Sequence, residues 1–321
     1  MDASILFLTR FEIAALMRPG DYLAAVEAGF RAASLGRATS PAPLHLPTPD
    51  GGFHAKAATF CGDGGRYAAL KFNGNFPGNP ERFGLPTIQG LIILCNADTG
   101  APLAVMDSVE VTLRRTAAAS AIAAKHLARA NSSAIALCGC GAQARAHIEA
   151  LSQVLPLKSG TVWDQDIAKA ERFASETGPA LGLDLRAVSQ LREATLEADI
   201  IVTCTTAAAP FLYRQDVAPG AFIAAIGADN AEKSEIAPTL MGEARVFVDV
   251  LEQCAAMGDL RAAIAAGAMG LDDVVGDLAQ LVSGSVQGRR GGAEIIIFDS
   301  TGTAIEDAAS AAWIYERAMA R

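Results

Sequence analysis

Six consecutive residues carry the clearest chemical signal in the chain: Gly139-Cys140-Gly141-Ala142-Gln143-Ala144, a G-x-G-x-x-A arrangement. An apolar, strand-like run at 133–138 precedes it and helical spacing over 142–155 follows. In that setting Gly139 makes a tight turn, Gly141 lets a phosphate approach the backbone, and the small Ala144 lets helix and strand pack closely. The N–H groups and the positive helix end, at Ala142 and Gln143, then face a pyrophosphate. Asp164 closes the next apolar run, 25 residues after Gly139. An acid there accepts hydrogen bonds from ribose hydroxyls and repels a 2′-phosphate, so NAD is favoured over NADP. The same aspartate could instead cap a helix.

A second set of polar residues is ambiguous on its own. Lys71 ends an apolar run and leads into the turn-rich Asn73-Gly74-Asn75-Phe76-Pro77, and Arg114-Arg115 opens the small-residue stretch Thr116-Ala117-Ala118-Ala119-Ser120. Arg115 could grip a carboxylate with two parallel hydrogen bonds. Composition alone reads these residues as a solvated lysine and a surface arginine pair. Asp229, after Ala225-Ile226-Gly227, reads from its position as a helix cap. Six cysteines include no C-x-x-C, and Cys138-Gly139-Cys140 has no second ligand pair nearby, so reduced thiols and no metal are expected. His126 and His147, both in helical stretches, read as solvent-facing or capping residues.

The elements that must position these groups fall into two styles. From 133 onward, short β-rich runs (133–138, 161–163, 183–188, 200–203, 222–226, 246–248, 295–298) alternate with helical stretches. Strands apolar on both faces and separated by helices predict an α/β, doubly wound parallel sheet. The first 130 residues instead predict a helix over 21–35 and antiparallel strands near 55–60, 67–72, 91–95 and 103–105, with a hairpin turn at Asn96-Ala97-Asp98-Thr99-Gly100. Helices over 111–130 and 304–319 complete the pattern.

The whole chain of 321 residues is 51% hydrophobic with a net charge of −9, so disorder is excluded and one large or two ordinary domains are expected. No run of Lys and Arg offers a footprint for nucleic acid, and no apolar run reaches the roughly eighteen residues of a membrane span. The first residues carry Asp2 where a secretory signal carries bases, which predicts a cytoplasmic protein.

Taken in order, the motifs resemble the ornithine cyclodeaminase/μ-crystallin family over nearly the whole chain. The likeness rests on Lys71 with Asn73-Gly74, Ala104-Val105-Met106-Asp107, Arg115-Thr116-Ala117-Ala118, the glycine loop, Gly227-Ala228-Asp229 with Lys233 and Glu235-Ile236, and Phe298-Asp299-Ser300-Thr301-Gly302-Thr303-Ala304-Ile305-Glu306-Asp307. It implies a homodimer with a Rossmann NAD-binding domain at 126–302 and an α+β substrate-binding and dimerisation domain at 1–125 and 303–321. It implies that Lys71, Arg115 and Asn73 bind the substrate, its carboxylate neutralised by the two cations, and that Lys71 and Asp229 are catalytic, Asp229 exchanging a proton with the amine or imine. Carried over residue by residue, the cofactor contacts are Thr87, Arg115, Thr116, Gly139, Gly141, Ala142, Gln143, Asp164, Thr205, Gly227, Lys233 and Ser300.

One position departs from the family pattern. Pro43 stands where many members carry a third cation, and Lys56 or His45 is the nearest replacement. The acidic and methionine-proline pattern of cyclodeaminases is also missing from this strand, which disfavours ornithine. The resemblance therefore implies an NAD-dependent enzyme moving hydride to or from Cα of a small L-amino acid or cyclic ketimine carboxylate, of the Δ1-pyrroline-2-carboxylate reductase or amino-acid dehydrogenase type. Ornithine cyclodeamination is the runner-up, and a non-catalytic μ-crystallin-like nucleotide binder comes third. An aspartate at 229 that titrates near neutrality would need a desolvated setting. The substrate pocket is expected to be cationic, against the sign of the whole protein.

Overall fold

A computed structural model describes residues 4–321. Two compact units divide the chain: residues up to Thr116 together with Thr303–Arg321, and Ala117–Gly302. The division falls inside the long helix Ser108–Leu127, after Thr116, where the sequence reading placed it after 125, inside a helix expected over 111–130. The helix itself begins three residues earlier than its apolar spacing suggested, directly after a strand.

In the first unit, among the described residues, one sheet holds β1 (Leu6–Leu8), β2 (Ala38–Thr39), β3 (Leu44–Thr48), β4 (Gly51–Gly62), β5 (Gly65–Asn75), β6 (Ile88–Asn96) and β7 (Pro102–Asp107). Their order is β1-β7-β6-β5-β4-β2, with β3 also on β4, and every pair is antiparallel except β1 with β7. The hairpin turn forms as expected, with Asn96 Oδ1 accepting from the N–H groups of Asp98 at 2.8 Å and Thr99 at 3.0 Å.

Register decides what each sheet face carries, because side chains alternate along a strand. Met106, Ile92 and Lys71 lie across from one another, and Lys71 in turn faces Lys56. This face is buried beneath the last helix, Ala304–Met319, which crosses β4 to β7. The opposite face shows Phe7, Leu70, Phe72, Leu91 and Ile93, all exposed. That is a broad apolar surface for an open antiparallel sheet.

The helix Pro19–Ser34 packs on the last helix. It starts with proline in its first turn and a bond from the Arg18 N–H to Asp21 Oδ2 at 2.7 Å. Tyr22, Ala25, Val26, Gly29 and Phe30 form its buried stripe, spaced for one helical face. Alanines line the facing side of the last helix, so the two backbones come close.

The second unit is an eight-stranded parallel sheet among the described residues: β8 (Ala134–Cys138), β9 (Ser159–Trp163), β10 (Asp184–Ala187), β11 (Ile200–Thr203), β12 (Phe222–Ala225), β13 (Arg245–Val248), β14 (Gly276–Asp277) and β15 (Ile296–Asp299). The order is β10-β9-β8-β11-β12-β15-β13-β14, as a doubly wound sheet requires. β11, β12 and β15 are buried at every residue, the mark of strands covered on both faces. From β8 the chain steps to β9 and β10 on one side and later to β11 and β12 on the other. This reversal creates a crevice at the carboxyl ends of β8 and β11. No helix among the described residues is long and apolar enough to cross a membrane.

A Cβ added at Gly29 would sit 3.0 Å from Ala309 Cβ and 3.3 Å from Ile305 Cγ2. The branched side chain of Gly29→Val would overpack this seam. We expect a loss of about 1–3 kcal/mol, read as a lower denaturant midpoint at unchanged m-value; an unchanged midpoint would show that the seam is loose.

Candidate active site

The first unit builds a buried cluster of charges. Lys71, in the second half of β5, points under the first turn of the last helix, and its Nζ lies 2.7 Å from Asp307 Oδ2. Arg115, in the long helix, donates from Nε to Asp307 Oδ1 at 2.9 Å and from Nη1 to Glu306 Oε2 at 2.8 Å. All four side chains are at most 5% exposed. Glu306 and Asp307 belong in the first helical turn on electrostatic grounds, since the positive helix end favours acids there. The Thr303 N–H also donates to Glu306 Oε1 at 3.0 Å.

These acids correct the expectation of a cationic pocket, because each buried cation already has a buried anion. An ammonium has three donors and a guanidinium five, of which the two acids engage one and two. Donors therefore remain for a further anion. Burial drives the Lys71 ammonium from its usual 10.5 down to about 7, helped by Arg115 and Lys56 and opposed by Asp307. Burial pushes Asp307 upward, yet Arg115 and Lys71 outweigh it and hold that carboxyl below the usual carboxylate range.

The register also sorts the candidates for the missing third cation. Lys56 stands directly opposite Lys71 on β4 and is half-buried. His45 faces His54 instead, ring centroids 4.5 Å apart, and is exposed. Asn73, two residues beyond Lys71 on the same sheet face, accepts from Ser108 Oγ at 2.6 Å. Thr87 accepts the Phe76 N–H on its carbonyl at 2.8 Å, and the Thr116 hydroxyl donates to the Thr112 carbonyl at 2.7 Å.

The second unit places the glycine loop at the crevice. Gly139 adopts φ +98°, and a Cβ there would lie 2.9 Å from the Cys204 carbonyl oxygen, so both conformation and space demand glycine. The helix Ala142–Leu151 starts at Gly141 with no side-chain cap, and Gly141 and Ala142 are exposed. Gln143 Oε1 is buried without a hydrogen-bond partner among the described residues. An uncapped helix start and an open backbone fit a dinucleotide's pyrophosphate end.

Asp164 accepts the Cys140 N–H at 2.9 Å and the Asp166 N–H at 3.2 Å, and its Oδ2 lies 2.9 Å from Lys169 Nζ. The cap of the following helix is Asp166, which frees Asp164 from that role. Burial raises Asp164, but these donors and the Lys169 charge bring it below its ordinary value. Fully buried His147 corrects the reading of it as a solvent-facing or capping residue. Its ring bridges Ser120 Oγ at 3.0 Å and the Gln143 carbonyl at 2.8 Å. Burial drives its pKa down to about 4, so it is neutral at pH 7.

Farther along the strand ends, Asp229 pairs with Lys233 Nζ at 2.7 Å, uniting two residues singled out from the sequence. The side chain of Asp229 is 40% exposed, so the desolvated setting expected for it is not supplied by this unit as it stands. Thr205 and Gly227 share one partner that the sequence reading missed. Glu235 Oε1 accepts from Thr205 N at 2.6 Å and Thr205 Oγ1 at 2.7 Å, and Oε2 accepts from Gly227 N at 2.8 Å. Ser300 is buried, its hydroxyl donating to Asp249 Oδ2 at 3.1 Å. All six cysteines are unpaired, with Cys61, Cys95 and Cys204 only half-buried.

Residues 4–321 match the family described as Ornithine cyclodeaminase/mu-crystallin family. Three solved structures cover 98% of the chain. An archaeal alanine dehydrogenase dimer with bound NAD is 38% identical, with 96% of its own length covered and a TM-score of 0.94. The Thermococcus litoralis Δ1-pyrroline-2-carboxylate reductase in complex with NADH and L-proline is 29% identical, 98% covered, TM-score 0.94. The iminosuccinate reductase of Paracoccus denitrificans in complex with NAD+ is 31% identical, 97% covered, TM-score 0.90.

Lys71 makes stability depend on pH in a defined direction. The unfolded chain keeps that proton up to about pH 10.5, whereas the folded chain loses it near pH 7. Between these values the unfolded state binds more protons, so Lys71's contribution raises stability with pH across that window. Melting curves of the parent and of Lys71→Met from pH 6 to 10 should differ by a slope of that sign, and parallel curves would refute the buried, depressed lysine.

Proposed function

The chain belongs to the Ornithine cyclodeaminase/mu-crystallin family, and within it we propose an NAD(H)-dependent oxidoreductase that moves hydride to or from Cα of a small L-amino acid or cyclic ketimine carboxylate. The observation that carries this reading is the buried Lys71-Asp307-Arg115-Glu306 cluster. Its two cations are locked in place by the acids yet keep donors for a carboxylate. The solved relatives with NAD, NADH or NAD+ support the cofactor, and the glycine loop with Asp164 supports its mode of binding.

When bound, the nicotinamide supplies or accepts the hydride. In the reductive direction, the donors left on Lys71 and Arg115 bind the carboxylate of the imino acid, with Lys56 across the strand adding positive charge to the same sheet face. This orients Cα, and withdrawing negative charge from the carboxylate makes that carbon a better hydride acceptor. The imine nitrogen must gain a proton as Cα gains hydride. Asp229 acts there as general acid in its protonated form, and as general base on the amine in reverse, the carboxylate form being the one that pairs with Lys233. Asn73 adds a polar contact beside Lys71.

The exposed apolar face of the first sheet supports a homodimer, the assembly named for the archaeal alanine dehydrogenase. Sedimentation of the parent should give twice the mass of the chain, and Leu91→Arg should shift it toward one. A monomeric parent would remove the homodimer from this proposal.

The function is tested by following NADH oxidation with Δ1-pyrroline-2-carboxylate, and with pyruvate or other 2-oxo acids plus ammonia. Turnover is expected with at least one of these, with NADH preferred to NADPH. Asp229→Asn should lower kcat by about a hundredfold or more while NADH still binds. Proline and ammonia formed from L-ornithine without net NADH change would replace this reading, and an Asp229→Asn variant as fast as the parent would end the proton-transfer assignment.

A further inference from the structure

We propose that Glu235 is a positioning residue for the nicotinamide half of the dinucleotide, fixing the loops after β11 and β12 through Thr205 and Gly227. The inference rests on the NAD-linked reading above. It starts from an arrangement that fold stability alone does not require: one fully buried carboxylate accepts hydrogen bonds from two separate strand-end loops. Ionised groups are costly to bury unless every lone pair is used, and here both oxygens are occupied by backbone donors.

Glu235 cannot swing away from those loops, because its own segment is anchored from below. Asp259 Oδ1 accepts from Ser234 Oγ at 2.9 Å, Glu235 N at 2.8 Å and Ile236 N at 3.1 Å. Asp259 is seated in turn by Asp299, whose Oδ2 accepts the Leu260 N–H at 2.9 Å. A rigid acid therefore dictates where the Thr205 and Gly227 backbones stand, including the start of the Gly227-Ala228-Asp229 turn.

The strand order says which half of the ligand this governs. The glycine loop follows β8, and Asp164 follows β9, so the adenosine end belongs on the β9 side of the switch point. The opposite end of the dinucleotide then falls over β11 and β12, where Glu235 holds both loops. Loss of Glu235 should accordingly loosen the nicotinamide end and leave the adenosine end in place.

Glu235→Gln keeps the shape but presents an NH2 group to either Thr205 N–H or Gly227 N–H, so one backbone donor loses its acceptor. Calorimetric titration of the full chain with NADH and with ADP-ribose, which lacks the nicotinamide, separates positioning from general damage. We expect NADH to bind about ten- to a hundredfold more weakly, ADP-ribose to bind as in the parent, and the melting temperature of the nucleotide-free protein to stay within a few degrees. Unchanged NADH affinity, or equal losses for both ligands, would overturn the proposal. Should Glu235→Gln fail to fold, Thr205→Val, which deletes the hydroxyl's bond to Glu235 and the weaker one it accepts from the Ala207 N–H, decides by the same ordering with a smaller loss, and equal NADH affinity there also overturns it. A parent chain that binds neither ligand instead overturns the NAD-linked reading, and this proposal with it.

Discussion

The contact between Lys71 and Asp307 is the constraint on which the first unit turns. A buried lysine keeps its charge only with an anion at close range, and the chain supplies that anion from a helix that begins at Ala304. Arg115 shares the same carboxylate, so strand β5, the long helix and the last helix are pinned at one point. Breaking such a network leaves an uncompensated buried charge, a cost of about 3–5 kcal/mol, comparable with the whole stability of many domains. The cluster is both the scaffold of this unit and the part of it that can meet a substrate carboxylate.

The second unit solves a related problem with acids alone. Four buried carboxylates gather backbone N–H groups around the ends of the parallel strands: Glu235 and Asp249 take those of strand-end loops, Asp259 those of Glu235 and Ile236, and Asp299 those at the start of the helix Asp259–Ala265. Strand-end loops in a doubly wound sheet carry ligand contacts but cannot use ladder hydrogen bonds. Carboxylates, each offering several acceptor sites, satisfy those donors and hold the loops still. Burial raises Glu235 to about 7 against the hydroxyls of Thr203 and Thr205, and burial with the neighbouring Asp259 raises Asp299 well above the usual carboxylate range.

Much of this was legible in the sequence. Seven of the eight parallel strands could be read as short β-rich runs, whereas the two-residue β14 carries no apolar pattern; the glycine loop could be read because its spacing is set by the phosphate it faces. Lys56 could be paired with Lys71 in outline, though only the β4–β5 register shows them directly opposite. The acids were not legible as partners. Glu306 and Asp307 lie about 190 residues from Arg115, and nothing local to a helix N-terminus says which cation it will meet. Glu235 was visible only as part of the family motif, and its role was hidden for the same reason: it works through two backbone N–H groups and the Thr205 hydroxyl, which leave no trace in its residue type. His147 was misread because a polar residue on an Ala-rich helix looks exposed until the facing helix supplies Ser120.

Because the first unit is assembled from two distant stretches, its chemistry is completed late during synthesis. Lys71 and Arg115 leave the ribosome long before Asp307, and until residues 303–321 arrive the sheet has neither its covering helix nor its counter-charges. The intervening residues form a unit with a core of their own, so they can fold while the first stretch waits. Closing a loop of 192 residues between Arg115 and Asp307 would be slow for a disordered chain. A folded middle unit replaces most of that loop with a rigid spacer, so the last helix docks onto a sheet that is already poised to receive it.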